Sequence, residues 1–272
     1  MLKELYLIPL IIYIFSYIVF ASKDKKFHKF FIYLVYAGFI CQTIIFFTFL
    51  GIKGFAVPVH IDRFVFFNAR ILMLVVVIFG FFYKVEYILL YTTPLVAVNL
   101  IIAFFVPHVR VMPVMENTDR IILLTHILLI LIGDSLFALA FIVSLIYIFQ
   151  ERKIKSKKNL KILDMPSRSG YNLELLDNIN YICLKVGFPF ITIGIVMGIY
   201  LSNSLFNTFL VVKPIEIMSL ITWFIYAVLL HERMAKGLRG KRAAVFGIIG
   251  FILILASLGF SFYFFPAFHG FE

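Results

Sequence analysis

The chain has 272 residues, of which 63% are hydrophobic, 18% aromatic and 14% charged, and its formal net charge is +11. Soluble domains are roughly half apolar and about a quarter charged, so this composition excludes an ordinary soluble protein. The positive charge does not indicate a nucleic-acid partner, because no basic stretch is interleaved with aromatic residues as in a binding platform. We therefore expect a single integral membrane domain over residues 1–272, with the lipid bilayer as its environment.

Eight apolar segments of about the length that a membrane-spanning helix requires follow one another along the chain. They run over 5–21, 30–50, 64–83, 87–106, 121–149, 181–201, 215–230 and 243–264. The first is interpreted as a retained helix, since no small-residue cleavage pattern precedes the basic stretch behind it. The third has Asn68 and Arg70 in its first half, which suggests a short interfacial helix over 62–70 that runs into a shorter span. Pro214 is well suited to begin the seventh helix.

The distribution of basic residues predicts the orientation. The loops after segments one, three, five and seven hold 17 of the 25 Lys and Arg residues, and the opposite loops hold 7. Cytoplasmic loops carry the excess of positive charge, so the first set faces the cytoplasm. The largest of these loops, about 150–180, ends in a predicted short surface helix from Leu173 onward. The sequence thus predicts an all-α polytopic protein of the inner (plasma) membrane, with about eight transmembrane helices and both termini non-cytoplasmic.

Polar residues at membrane depth are costly and commonly have a function or a partner. His126 lies about 7–8 Å inside the fifth segment, counted from Ile121, and on the non-cytoplasmic side. His269 follows the eighth segment on the same side, so the two imidazoles can supply both axial ligands of a haem iron. A core histidine that binds nothing is an equally good interpretation of His126. Loop histidines such as His60 and His108 are more commonly solvated.

Asp134 is the one acid well inside a span, about two turns deeper than His126. It can hydrogen-bond a ligating histidine or take part in a proton path. A protonated carboxyl, or one paired with a neighbouring helix for packing, explains it equally well.

From the fifth segment onward the sequence resembles the cytochrome c assembly family of the CcsA/ResC type. The matching stretches are Leu-Thr-His-Ile-Leu at 124–128, 144–153, Leu-Asp-Met-Pro-Ser at 163–167, 186–198, 221–231, 237–244 and Phe-His at 268–269. The resemblance covers a core of about 121–272, while residues 1–110 match only in their pattern of helices. It implies a protein that moves or presents haem across the membrane for attachment to apocytochrome c. It also implies that His126 and His269 are the outer haem ligands and that His231 contacts haem inside the membrane.

One family feature is replaced in this chain. Proper cytochrome assembly members carry a Trp-rich external loop that cradles haem, whereas residues 201–217 contain no tryptophan and keep only Pro214 and Glu216 of its final run. The stacking platform is therefore absent or rebuilt from Phe206 and Phe209. This difference favours the HemX-like branch, whose members resemble haem-handling or regulatory proteins of tetrapyrrole synthesis.

The sequence therefore predicts a membrane protein that binds haem b non-covalently and offers it to a partner outside. We expect no independent catalytic activity. A CcsB/ResB-type subunit and apocytochrome c are the partners that the resemblance implies. The alternative is a regulator or scaffold that binds a cytoplasmic haem-biosynthesis enzyme through its basic loops, 151–168 and 233–242, and need not bind haem. A small-molecule permease has only the polytopic architecture in its favour.

Overall fold

A computed structural model describes residues 2–21, 25–53, 60–83, 87–108, 117–156, 172–206 and 214–264. A short 3-10 helix, Leu2–Tyr6, leads into the first of eight α-helices in these ranges. The helices are α1 (Leu7–Ala21), α2 (Lys25–Lys53), α3 (Ile61–Tyr83), α4 (Tyr87–Phe105), α5 (Asn117–Lys155), α6 (Leu173–Phe206), α7 (Pro214–Ala235) and α8 (Gly240–Phe264). The described residues contain no β-strand, so the all-α prediction is confirmed.

Seven helices, up to and including α7, are long and apolar enough to cross a membrane. The chain is therefore a multi-pass membrane protein. The eighth predicted span corresponds to α8, a helix of 25 residues, and its crossing stays a prediction. The orientation inferred from the basic loops also stays a prediction.

The helices begin and end close to the apolar segments, but several extend beyond them. The expected interfacial helix over 62–70 is the first part of α3, which is continuous from Ile61 to Tyr83, and its interfacial position stays a prediction. The predicted surface helix does begin at Leu173, where the side chain of Asn172 accepts a hydrogen bond from the Glu174 amide at 2.9 Å. That bond is typical of an N-cap. The predicted surface helix is not a separate element, however, because it is the first part of α6, which runs without a break to Phe206.

The helices form two compact units, with α1–α4 in the first and α5–α8 in the second. The core of the first unit includes Tyr13, Val35 and Met73, and that of the second includes Leu139 and Cys183. The expectation of one integral domain over the whole chain stays a prediction.

In the second unit, helices α5 and α6 pack very closely because glycines lie where they meet. A Cβ added to Gly187 would lie 2.9 Å from the Phe137 ring, and one added to Gly194 would lie 2.6 Å from Ile130. Small residues at such spacing let two helix backbones approach each other in a membrane. This close approach positions His126.

Candidate functional site

His126 lies in the first part of α5, half-buried, with its ring against α6. Its Nδ1 atom lies 2.7 Å from the carbonyl oxygen of Gly194. A carbonyl oxygen only accepts hydrogen bonds, so Nδ1 must carry the hydrogen and donate it. The bond joins residues 68 positions apart and holds the ring in one orientation.

The hydrogen bond determines which nitrogen of His126 can bind a ligand. In a neutral imidazole with the hydrogen on Nδ1, Nε2 has a free lone pair. Metal-ligating histidines almost always donate their other N–H to a carboxylate, a backbone carbonyl or water. His126 therefore has the hydrogen position and orientation that are typical of a metal-binding imidazole, with the lone pair on Nε2.

Space for the ring comes from Gly198, one turn beyond Gly194 on α6. A Cβ at Gly198 would lie 2.9 Å from Cε1 of His126 and 3.3 Å from its Nδ1. Any larger residue at this position would push against the imidazole. Gly194 and Gly198 thus form a GxxxG motif of which one member supplies the acceptor and the other supplies the room. The motif is visible in the sequence, but its relation to His126 is not.

The structure places Asp134 apart from the His126 ring. The two residues are eight positions apart on α5, which is about 12 Å along the helix axis. Asp134 was considered as a hydrogen-bond partner of His126, but the Nδ1 atom of His126 instead donates to the backbone carbonyl of Gly194. Asp134 lies within electrostatic range of Tyr226 on α7. The Tyr226 hydroxyl is buried and makes no hydrogen bond within the described part of the chain.

Two further residues, His231 and His269, were predicted to bind haem, and the structure describes only the first of them. His231 is exposed near the end of α7. His269 lies outside the described residues, so its pairing with His126 stays a prediction.

A buried polar cluster near the start of α6 was missed by sequence reasoning. Arg233 of α7 donates to the Asn180 side chain at 2.6 Å and to the Asp177 carbonyl at 2.7 Å, and it pairs with the Asp177 carboxylate at 3.0 Å. Asn180 in turn donates to Ser144 of α5 at 2.8 Å. The Asp177 carboxylate also accepts from the Gly240 amide at 3.0 Å, at the first residue of α8. Four helices are therefore joined at this end of the second unit.

Arg233 and His231 lie on different faces of α7. Two residues along an α-helix are separated by about 200°, so their side chains project in nearly opposite directions. Arg233 faces the cluster and borders an open cleft of about 710 Å³, which Tyr181 and Arg239 also line. His231 is not among the residues that line this cleft.

The sequence is similar to known proteins over much of the chain. The profile of the family described as Cytochrome C assembly protein matches residues 54–265. Three relatives are each named Cytochrome c biogenesis protein CcsA. The one from Heterosigma akashiwo is 30% identical over 159 residues, which cover 48% of this chain and 49% of the relative. That from Mesostigma viride is 40% identical over 81 residues (30% and 27%), and that from Gloeobacter violaceus is 40% identical over 90 residues (33% and 27%).

The chain thus spans about half the length of the first relative and about a quarter of the other two. The family match begins at residue 54, which is well before the core of about 121–272 that the motifs indicated. The matched range contains α3 to α8, and His126, Gly194 and Gly198 therefore lie inside it. The chain belongs to the cytochrome C assembly protein family.

Proposed function

We propose that this membrane protein binds haem b non-covalently and presents it for cytochrome c biogenesis. In this proposal Nε2 of His126 is one axial ligand and His269 is the other, at the outer face. The relatives' names support a role in cytochrome c biogenesis. Placement in the HemX-like branch stays a prediction.

The observation that carries the proposal is the hydrogen bond from His126 Nδ1 to Gly194 O. An imidazole that only filled a packing gap would not need a fixed acceptor on one nitrogen. The bond is made by backbone, so it does not depend on the conformation of another side chain. Haem iron needs only axial ligands from the protein, since the porphyrin supplies the other four nitrogens.

The protein's own groups would act in three ways. Gly194 and Gly198 hold the His126 ring ready, so little rotational freedom is lost when Nε2 binds iron. The close packing of α5 on α6 keeps water from the Nδ1 side. We further propose that His231 is an inner contact for haem on its way across the membrane, and that Asp134 provides a polar point on the path between His126 and His231. A CcsB/ResB-type subunit would assist, with apocytochrome c as the recipient.

Replacing both proposed ligands should remove haem without unfolding the protein. We expect the detergent-purified wild type from haem-replete cells to show a sharp Soret band with resolved α and β bands. The His126→Ala/His269→Ala variant should lose these bands while its helical circular dichroism stays unchanged. His28→Ala, which alters a histidine of the first predicted cytoplasmic loop, is the matched control and should keep the spectrum of the wild type.

Two results would contradict the proposal. Full haem retention in the double variant would show that the ligands are elsewhere. A colourless wild type that takes up no added haemin would favour the alternative function, a regulator or scaffold that binds a cytoplasmic haem-biosynthesis enzyme.

A further inference from the structure

The first unit contains a second oriented histidine, at the end where α3 begins and α4 ends. His108 follows α4, and its Nδ1 lies 2.8 Å from Oδ1 of Asp62 in the first turn of α3. Its ring stacks on that of His60, with centroids 3.9 Å apart and planes 6° from parallel. The expectation that these loop histidines are simply solvated is therefore wrong for His108.

The partners of His108 are themselves held in place. The Asp62 side chain is only 2% exposed, and its second oxygen accepts from the Tyr6 hydroxyl at 3.3 Å. The Tyr6 ring stacks on Phe66 with centroids 4.6 Å apart. Lys3 donates from its Nζ to the carbonyl of Val106, two residues before His108. Contacts from the N-terminal 3-10 helix, α3 and the end of α4 thus fix the position of one imidazole.

The chemistry of this arrangement matches that of His126. A carboxylate only accepts, so His108 donates from Nδ1, and the neutral form of the imidazole then carries its lone pair on Nε2. A carboxylate in this position also raises the basicity of the imidazole towards a metal. The His108 side chain is 45% exposed, so a ligand can reach it, whereas the Asp62 carboxylate behind it is buried.

We propose that His108 is a ligand for iron held in a porphyrin, at a second haem site that the first unit provides. Asp62 fixes the tautomer of His108, and His60 fixes the plane of its ring. The choice of haem as the ligand rests on the proposed function, whereas the orientation of His108 is observed independently of it. A porphyrin iron brings four nitrogens of its own and needs one or two more ligands, which suits a single exposed imidazole. A structural zinc ion needs about four protein ligands. Within the described residues, no three His, Cys, Asp or Glu side chains converge in that way.

A structural explanation competes with this proposal. The His108–Asp62 contact also ties the end of α4 to the start of α3, and an acidic residue in the first turn suits the helix dipole. His108→Gln separates the two explanations. A glutamine amide can still donate to Asp62 and hold the helix ends, but it cannot bind iron as an imidazole does.

The test uses the full chain in detergent and titrates it with haemin, with absorption and haem-to-protein ratio as readouts. The His126→Ala/His269→Ala variant, which we expect to be purified without haem, should bind added haemin at His108 with a histidine-type spectrum, and His108→Gln should abolish this binding while the thermal unfolding midpoint stays unchanged. Asp62→Asn should weaken haemin binding by about 10–100-fold, the usual effect of removing a partner of a ligating histidine. His28→Ala serves again as the control and should leave this haemin binding unchanged.

Three results would overturn the proposal. One is a haemin titration that is unchanged by His108→Gln. A second is an equal loss of haemin binding and of unfolding temperature in that variant, which would indicate a structural role only. The third is tight binding of Zn²⁺ to the His108 site without binding of haemin. A failure of the proposed function gives a different result. In that case the His126→Ala/His269→Ala variant keeps its haem on purification, and adding His108→Gln does not change the amount retained.

Discussion

We expect Arg233→Ala to lower the free energy of unfolding by about 3–5 kcal/mol, the usual result of removing one partner of a buried ion pair. The Arg233 side chain is only 3% exposed, and it is the donor on which both Asp177 and Asn180 depend. Its loss leaves the buried Asn180 side-chain oxygen without its donor, and it leaves the Asp177 carboxylate with only the Gly240 amide. The four joined helices should separate more readily as a result.

Thermal unfolding in detergent, followed by circular dichroism, measures this effect. A loss of this size should lower the unfolding midpoint by roughly 10 °C, at about 2–4 °C for each kcal/mol. Lys236→Ala is the matched control, because Lys236 pairs at 2.7 Å with Glu232 but is 68% exposed. Exposed pairs of this kind contribute only about 0.3–0.5 kcal/mol. Equal midpoints for the two variants would mean that the Arg233 cluster does not hold the helices together.

Gly198→Ala should weaken haem binding although it alters no ligand. The added Cβ would lie 2.9 Å from Cε1 of His126, which is closer than real Cβ contacts, so the imidazole must move. Its movement breaks or bends the hydrogen bond to Gly194 O and misdirects Nε2. Changes that disturb the orientation of a ligating histidine commonly cost about 10–100-fold in affinity, and we expect that range for haemin.

The matched control for this variant is Gly187→Ala, at the same helix contact but away from the site. Its Cβ would lie 2.9 Å from the Phe137 ring, so it produces the same degree of crowding. Overpacking of this kind costs about 1–3 kcal/mol of stability. Both variants should therefore unfold at lower temperature, and only Gly198→Ala should lose haemin affinity. Parallel losses of affinity in both would show that Gly198 acts through general packing and not through His126.

Much of the fold could be predicted from the sequence, because membrane helices are determined largely by local composition. Apolar runs of about 20 residues must form helices in a bilayer, where the backbone has no other hydrogen-bond partners. The start of α7 at Pro214 followed from the residue itself. The sequence could not show that the stretches from Ile61 and from Leu173 are parts of longer helices, since a helix continues through polar residues wherever its neighbours hold them.

The contacts that make the sites could not be predicted, because they join distant parts of the chain. His126 meets Gly194 across 68 residues, and His108 meets Asp62 across 46. The sequence indicated His126 as a candidate through its depth in an apolar segment. It did not indicate His108, which lies in a polar connection where solvated histidines are common.

Chemical rescue of His126→Gly tests the central claim, that Nε2 of a carbonyl-held His126 binds haem iron. The glycine leaves a space of the shape of the lost ring, and Gly194 O remains as an acceptor for an added imidazole. The visible spectrum of the purified variant would be recorded after gel filtration with and without free imidazole. We expect no bound haem without imidazole and a restored histidine-type spectrum on the protein with it. A His126→Gly protein that keeps the wild-type spectrum in the absence of imidazole would contradict the account.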